Sequence, residues 1–505
     1  MSFPRIAVLI TLLTGAATAQ TTFGVIRGRV LDSSGAIVPN ITVKVTNTAT
    51  NIARTVTSNE AGIYEAGYLQ PGAYSVSAEQ PGFKKFASQS IDLNPNATVL
   101  MDVTLDVGEL SSTVTIGALA ALITTESAVI SDVKTQQQYL EIPINQRGSW
   151  DTYVFYYLST VPGVQPGANY YSQLFAGTRS NDGEYLMDGI TLAKVGGGVM
   201  GPPAPSMEEI MEVKADLSGN PAEFSLPSNI TVVTKGGGNK LHGGVFFYYN
   251  TSGLNARDFF SNNVPFNLLR DYGASISGPV IKNKTFYSGV FEGFNQRSDS
   301  QLNMNLASAA MRGGDFSQLQ NSTGNLLTIK DPLTGVPFPG NVIPTSRLNA
   351  TALKIQSVFF PAPDYGAPNS TVGNFRGIVK GYQRREQVDF RVDHQLSSKN
   401  ALFTRVTMLR MPSYGAAGLP ALGLTVQRRE NRNGVISDTH TFRPNLLNEF
   451  RFGLTRDYNP RGLNVNGGFG TAMVQELGLT NFPANLPNIP AVTQITITGY
   501  QALSH

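Results

Sequence analysis

The chain has 505 residues, including 51 glycines; 9% of residues are aromatic, 14% are charged, and the formal net charge is +3. This length suggests about three domains, and few charges with many aromatics and glycines favour a strand-rich surface protein over a cytosolic helical enzyme. The sequence contains no cysteine, which excludes disulfides, zinc–thiolate sites and cysteine nucleophiles. The small net charge, with no basic block, argues against nucleic acid as a partner.

The N-terminus predicts an export signal. Arg5 gives a basic start, Ile6–Leu13 an apolar core, and Ala17-Thr18-Ala19 a small-x-small cleavage pattern. We predict a signal peptide over residues 1–19, cut between Ala19 and Gln20, with an uncleaved anchor as the alternative. The apolar run is too short for a membrane-spanning helix. No later run of apolar residues reaches about eighteen, so crossing a membrane requires a closed β-barrel.

Residues 22–108 predict a seven-stranded β-sandwich. Short β-branched or alternating runs, such as Val25–Leu31 and Ile41–Thr46, are separated by glycine-containing turns. The motifs Gly28-Arg29-Val30, Leu69-x-Pro71-Gly72-x-Tyr74 and Pro81-Gly82-Phe83 resemble the carboxypeptidase regulatory-like domain, a transthyretin-like sandwich. The resemblance implies no catalytic groups, and a spacer role is expected ahead of binding.

Residues 117–236 predict a small α+β domain. Val133–Glu141 and Trp150–Thr160 are predicted as short helices, with Pro143 between them. Extended segments are predicted around Glu184–Ile190, Ile210–Lys214 and Ile230–Thr234. The glycine runs 196–198 and 236–238 lack the Lys-Ser/Thr of a phosphate-binding loop, so they are interpreted as a loop and a domain hinge.

Five motifs of this middle region, in order, resemble the plug of TonB-dependent outer-membrane receptors of the Oar-like group. They are Leu140-x-x-Pro143-x-Asn145-x-Arg147, Val161-Pro162-Gly163-Val164, Leu186-Met187-Asp188-Gly189-Ile190, Pro205-x-x-Glu208-x-Ile210-x-Glu212-Val213 and Asn229-x-Thr231-Val232-Val233-Thr234-Lys235. The chain departs from the family at Pro227-Ser228, where a glycine pair is usual. The resemblance therefore implies a plug with altered local geometry before its last strand.

Residues 237–505 predict long antiparallel strands in which apolar and polar residues alternate. An arginine on the lipid face near the bilayer midplane costs roughly 2–4 kcal/mol, so the charged residues are predicted to face a polar lumen. They are Asp389, Arg391, Asp393, Arg405, Glu449 and Arg451. Asp389, Asp393 and Arg405 are expected to neutralise one another. A soluble sandwich alternates too, but aromatic clusters at Phe246–Tyr249 and Phe286-Tyr287 favour a membrane barrel.

The motif order again resembles the Oar-like barrel, through Asn255-Ala256-Arg257-Asp258-Phe259-Phe260, Gly278-Pro279-x-Ile281 and Pro339-Gly340-Asn341-x-Ile343-Pro344. The polar stretch 295–381 is interpreted as a ligand-contacting or lid loop, or as a variable surface loop. Such receptors have about 22 strands, of which only some eight to ten are placed here. The expected fold is mainly β, with sandwich, α+β plug and the N-terminal part of an incomplete transmembrane barrel.

The resemblance implies an outer-membrane receptor of a Gram-negative bacterium that moves a substrate by energy-coupled plug rearrangement. Its implied partners are outer-membrane lipid, a TonB-like inner-membrane energy-coupling protein and an unidentified extracellular ligand, with no cofactor and no metal. The segment Ser112-Thr113-Val114-Thr115-Ile116 resembles an energy-coupling box, although an ordinary linker or a last sandwich strand fits it equally. The alternative function is a surface adhesin or matrix-interaction protein; no enzyme signature stands out.

Overall fold

The structure, a computed structural model, confirms a mainly β chain. The residues that it describes are 22–108, 113–116, 129–142, 153–165, 173–179, 182–192, 204–220, 224, 226–257, 264–320, 324–366, 372–443, 446–464, 471–480 and 494–503. They form a sandwich, a middle domain and one large antiparallel sheet.

The sandwich consists of two sheets that enclose an apolar core. Its strands are β1 (Gly24–Asp32), β2 (Thr42–Asn47), β3 (Ala53–Thr57), β4 (Ile63–Leu69), β5 (Gly72–Ala78), β6 (Lys85–Ser88), β7 (Ile91–Leu93), β8 (Thr98–Leu100) and β9 (Val103–Leu105). Every second residue of the longer strands is buried, including Ile26 and Val30 of β1 and Val43 and Val45 of β2. This alternation is the period of a strand with one face in the core.

Residues 22–108 therefore contain nine strands rather than the seven predicted. The last part of the sandwich holds two separate short strands, because β8 pairs with residues 25–27 of β1 and β9 pairs with residues 30–32. Gly28 lies between these two stretches of β1, where an added Cβ would be only 2.0 Å from the Met101 carbonyl oxygen. The backbone approaches too closely here for any residue with a side chain.

A tenth strand, β10 (Thr113–Ile116), is added to the edge of the second sandwich sheet. It runs parallel to β6, with Val114 opposite Phe86. The order in this sheet is β10-β6-β5-β2-β3. β10 and β3 therefore lie at opposite edges of the same sheet.

The middle domain is built around a five-stranded sheet of order β11-β16-β17-β14-β15. Its strands are β11 (Ile130–Thr135), β12 (Val164–Gln165), β13 (Leu174–Phe175), β14 (Gly183–Met187), β15 (Ile190–Thr191), β16 (Ile210–Ser218) and β17 (Ser228–Thr234), with β12 and β13 paired separately. All seven residues of β17 are buried, as expected for a central strand covered on both faces.

The prediction of a helix from Val133 is wrong at its start. Val133 and Lys134 belong to β11, and the helix covers only Gln136–Glu141. Thr135 caps this helix, and Gln138 bonds back to the Thr135 backbone. This capping box fixes the first turn after Thr135 and leaves the preceding residues free to pair with β16. The second helical segment, Tyr153–Thr160, is a 3-10 helix.

The large sheet holds eight antiparallel strands, and it is open across the part of the chain that the structure describes. They are β18 (His242–Thr251), β19 (Asn267–Ile281), β20 (Thr285–Met304), β21 (Phe375–Ser397), β22 (Asn400–Ala416), β23 (Leu424–Arg443), β24 (Leu446–Tyr458) and β25 (Arg461–Asn464). Strands β18 to β24 pair in chain order, and β25 continues beside β23.

The two ends of the large sheet differ. At the short-turn end, residues 282–284 and 398–399 connect neighbouring strands. At the long-loop end, residues 305–374 join β20 to β21 and contain the helices Ala309–Arg312 and Ala350–Phe359. This connection is shorter than the predicted 295–381, because both flanking strands extend beyond the polar boundary read from the sequence.

Four further short helices lie at Ser252–Leu254, Pro339–Asn341, Thr345–Arg347 and Pro420–Leu422, and a fifth at Thr471–Leu477. The long-loop end also has its own apolar cluster, which includes Leu306, Phe359 and Leu419. Among the described residues, no helix has both the length and the apolar character needed to cross a bilayer.

The two faces of the large sheet have opposite character. On the outer face Val388, Phe390 and Phe452 are 46%, 48% and 58% exposed. On the inner face Asp389 and Arg405 are at most 1% exposed, because the middle domain covers them. We call these the outer and inner faces.

Neither predicted aromatic cluster lies on a single face, because successive residues of a strand point to opposite faces of the sheet. In the first cluster, Phe247 on β18 is 64% exposed. Phe286, in the second, is only 1% exposed. It points to the inner face in phase with Ser288 and Val290, and the link at Gly237 packs against it. Phe286 is therefore a buried residue of the inner face and does not contribute to an exposed aromatic cluster.

Candidate functional site

The contact between the middle domain and the inner face centres on Asp188. This residue and Gly189 form the two-residue turn between β14 and β15, with φ angles of 48° and 77°. Two successive positive φ values define the hairpin turn that Asp-Gly favours. The turn presents the Asp188 carboxylate, which is 2% exposed, to the large sheet.

Two arginines of the large sheet hold this carboxylate. Arg405 donates from Nε to Asp188 Oδ2 at 2.6 Å, and Arg391 donates from Nη1 to Oδ1 at 3.4 Å. Thr234 of β17 donates its backbone N–H at 3.0 Å and its hydroxyl at 2.8 Å. Asp393 adds a second carboxylate, accepting from Arg391 at 2.8 and 3.0 Å. We call Asp188, Thr234, Arg391, Asp393 and Arg405 the Asp188 cluster.

The Asp188 cluster is electrically balanced, with two guanidinium groups and two carboxylates. Burial by itself raises the pKa of Asp188, but Arg405, Arg391 and the Thr234 donors outweigh it and hold the pKa below its usual range. Asp188 is therefore ionised at neutral pH. A buried, hydrogen-bonded ion pair fixes one geometry, and removing one partner leaves an uncompensated charge.

A second polar contact lies beside the first. Ser206 of the middle domain donates its hydroxyl to Glu292 Oε2 at 2.5 Å and its N–H to Asp389 Oδ2 at 3.3 Å. Glu292 also forms an ion pair with Arg385, and both are fully buried. Gln387 donates to the Ala204 carbonyl oxygen at 2.9 Å. The middle domain therefore meets the large sheet through polar groups at two neighbouring places.

The structure brings together some of the predicted lumen residues but pairs them differently. Arg405 pairs with Asp188, and Asp393 pairs with Arg391, so the expected mutual neutralisation of Asp389, Asp393 and Arg405 is not the arrangement found. The reason is that the middle domain supplies its own carboxylate. Glu449 and Arg451 form a separate pair on β24.

Sequence reasoning missed Asp188, Ser206, Glu292 and Arg385 as site residues. Asp188 was part of a recognised motif but carried no assigned role. A signal for Glu292 was present, because it shares the two-residue period of the inward-facing Phe286 and Val290 on β20. A charged residue that points to the same face as buried apolar residues is expected to be buried too, and a buried charge needs an ion-pair or hydrogen-bond partner.

The candidate energy-coupling segment lies at the sheet edge of the sandwich. Thr113–Ile116 form β10, which pairs with β6 on one side. Among the described residues no strand pairs with its other side. Ser112 lies outside the described residues, as do the predicted cleavage residues Ala19 and Gln20.

The long-loop end contains an apolar pocket of about 310 Å³. Met311, Phe316, Leu353 and Ile497 are among its lining side chains, and Arg312 forms part of its wall. Arg312 donates from Nε to the Ala307 carbonyl oxygen and from its two Nη atoms to those of Phe360 and Pro361. An apolar pocket with a few polar groups at its wall is the usual form of a small-ligand site.

No group of three or more potential metal-binding side chains occurs among the described residues.

Comparison with known proteins places these features in a family. The family described as outer membrane beta barrel domain matches residues 233–505, and the carboxypeptidase regulatory-like domain matches residues 25–106. The TonB-dependent transporter Oar of Myxococcus xanthus is 27% identical over 293 residues, which are 55% of this chain and 27% of that protein. The aligned part thus spans about a quarter of the relative's length.

The similar solved structures have low TM-scores against this chain. The outer membrane transporter YddB of Escherichia coli has a TM-score of 0.40 at 9% identity, covering 65% of this chain and 39% of its own. The Bacillus anthracis TIE protein has a TM-score of 0.16 at 22% identity, covering 17% of each chain. The family match, in contrast, covers more than half of the chain. The chain therefore belongs to the outer membrane beta barrel domain family.

Proposed function

We propose that the protein is part of a TonB-dependent transporter of the outer membrane, in which the middle domain is the plug. The Asp188 cluster carries this proposal. It joins a separate domain to the inner face of the large sheet by ion pairs. At these contacts both surfaces carry charged or hydrogen-bonding groups, which water can solvate when the surfaces separate. An apolar interface would instead resist such a movement.

The outer face supports the membrane part of the proposal. Its exposed residues are largely apolar, including Val245 on β18, Phe390 on β21 and Leu454 on β24. Outer-membrane barrels alternate apolar outward residues with polar inward ones. Their long loops face the exterior and their short turns face the periplasm. The pocket beside Arg312 is therefore proposed to face the outside of the cell. The sandwich, which contacts the short turn at Asn283, is proposed to lie in the periplasm.

Energy coupling is proposed to act through β10. A partner strand can add to its open side through main-chain hydrogen bonds, as extended peptides add to other sheet edges. The two interpretations of this segment, coupling box and last sandwich strand, are then compatible. The partner is a TonB-like protein of the inner membrane, and the substrate enters from the long-loop end.

The test is capture of the partner by the full-length protein. Val114→Pro removes one backbone N–H and disfavours strand pairing, whereas Val114→Ala keeps it and serves as the matched control. We expect Val114→Pro to lose capture of the purified periplasmic domain of the TonB-like protein, with normal amounts in the outer membrane. Equal capture by wild type, Val114→Ala and Val114→Pro would contradict energy coupling at β10.

A further inference from the structure

One contact between the sandwich and the large sheet consists of hydrogen bonds between backbone and amide groups. The β2–β3 turn of the sandwich meets the link that joins the middle domain to β18 and the short turn between β19 and β20. Asn239 of the link donates its N–H to the Ala49 carbonyl oxygen at 2.9 Å and its side-chain Nδ2 to that of Thr50 at 2.8 Å. Asn51 donates from Nδ2 to Asn283 Oδ1 at 3.2 Å.

The link and the short turn are also bonded to each other. Asn239 Nδ2 donates to Asn283 Oδ1 at 2.7 Å, and the Asn283 N–H donates to Asn239 Oδ1 at 2.8 Å. Asn51 and Asn283 both have a φ of about 60°, a conformation that asparagine tolerates better than most residues. Three chain segments therefore converge on one set of amide groups, which we call the asparagine junction.

The glycine run before Asn239 is shaped for this contact. An added Cβ at Gly237 would lie 2.5 Å from the Tyr287 carbonyl oxygen, and one at Gly238 would lie 3.1 Å from that of Ala49. The run was interpreted from sequence as a hinge. This glycine run packs against the sandwich at Ala49 and against the large sheet at Tyr287.

The second sandwich sheet connects this junction to β10. The junction is formed by the turn that joins β2 to β3, and β10 lies at the opposite edge of the same five-strand path. Tension on β10 therefore passes through β6, β5 and β2 to reach the junction. The junction itself consists of hydrogen bonds between uncharged groups, which water can replace once they part.

We propose that the sandwich is a releasable brace, which holds the link against the large sheet and is drawn off it by tension on β10. This inference rests on the proposed function, because the tension comes from the TonB-like partner. The sandwich contacts the rest of the chain here through its β2–β3 turn. This turn binds the Gly236–Asn239 link and Asn283. Release of the brace precedes movement of the plug.

The test uses a disulfide across the junction in the full-length protein. The sequence has no cysteine, so Ala49→Cys with Gly238→Cys gives the only thiol pair. The Ala49 Cβ and an added Cβ at position 238 are 3.6 Å apart, within the roughly 3.5–4.5 Å of disulfides. Residual free thiols are counted by a maleimide mass tag on denatured protein.

The matched control is Ser33→Cys with Gly238→Cys. Phe23, Ala49 and Gly237 line one pocket, so the Gly24 end of β1 lies beside the link. Ser33 follows the other end of β1, about 26 Å along the strand from Gly24, so it cannot reach position 238. We expect rapid oxidation of the 49–238 pair in cells treated with a protonophore, and none of the control pair. In energised cells that contain the TonB-like partner, the oxidised fraction is expected to fall several-fold, and adding Val114→Pro is expected to restore it.

Two results would contradict the proposal that the sandwich is a releasable brace. Little oxidation of the 49–238 pair under every condition would show that the sandwich does not dock there. Full oxidation in energised cells, with a partner that β10 does capture, would show that the brace is never released. If the wild-type protein does not capture the TonB-like partner, the proposed function is contradicted. The separate Val114 experiment measures that capture, so the two failures can be distinguished.

Discussion

At the residue scale, inward-facing charges were predictable but their partners were not. The alternation around Asp389 and Arg391 is visible in the sequence, because one face of a strand repeats every second residue. The partner of Arg405 lies 217 positions away in another domain. Nothing in local sequence encodes that distance, so Asp188 was recognised only as part of a motif.

Glu212 on β16 provides a test of burial at this scale. It is 6% exposed, and burial raises its pKa to about 8, with Lys214 opposing and Asp92 of the sandwich adding to the rise. The folded state therefore binds a proton more tightly than the unfolded state, whose pKa is near 4.5. The contribution of Glu212 to the free energy of unfolding is fully present below pH 4.5 and is lost as pH rises towards 8.

We expect the free energy of unfolding to fall by up to about 1.4 kcal/mol per pH unit across this window. Glu212→Gln stays neutral and should flatten the slope, as measured by denaturant unfolding of the full chain in detergent between pH 5 and 8. Glu141→Gln, at the exposed end of a helix, is the control and should leave the slope unchanged. Parallel profiles for wild type and Glu212→Gln would contradict the burial of an ionisable carboxyl.

At the element scale, strand positions were predicted well where alternation is long and poorly where tertiary contacts set the ends. The alternating charges Asp389, Arg391 and Asp393 lie on one strand, β21, as their two-residue period predicts. The predicted helix start at Val133 is wrong, since pairing of β11 with β16 competes with helical propensity. The capping pattern Thr135-x-x-Gln138 was the local signal that marked the true boundary.

Gly28 tests whether close backbone approach shapes the sandwich. Gly28→Ala places a Cβ 2.0 Å from a backbone oxygen, which cannot move without displacing the link between β8 and β9. Overpacking of this kind typically costs about 1–3 kcal/mol, so the sandwich transition should shift to lower temperature in calorimetry of the full chain. Gly67→Ala, whose nearest contact is 3.9 Å, is the matched control. An equal transition for both variants would show that Gly28 is dispensable.

At the scale of the whole molecule, the order sandwich, middle domain and large sheet was predictable from motifs. Their packing was not, because it depends on polar contacts between segments that are distant in sequence. The asparagine junction joins residues near positions 50, 239 and 283, and the Asp188 cluster joins the β14–β15 turn, β17, β21 and β22. These contacts join the three predicted units into one assembly.

The central claim is that the middle domain is held to the inner face by the ion pairs of Asp188. A double-mutant cycle with Asp188→Ala and Arg405→Ala measures it most directly, through denaturant unfolding of the full chain in detergent. Each single variant leaves a buried charge without its partner and should cost about 3–5 kcal/mol. The account predicts a coupling energy of about 1–3 kcal/mol between the two sites. Additive effects, within about 0.5 kcal/mol, would contradict it.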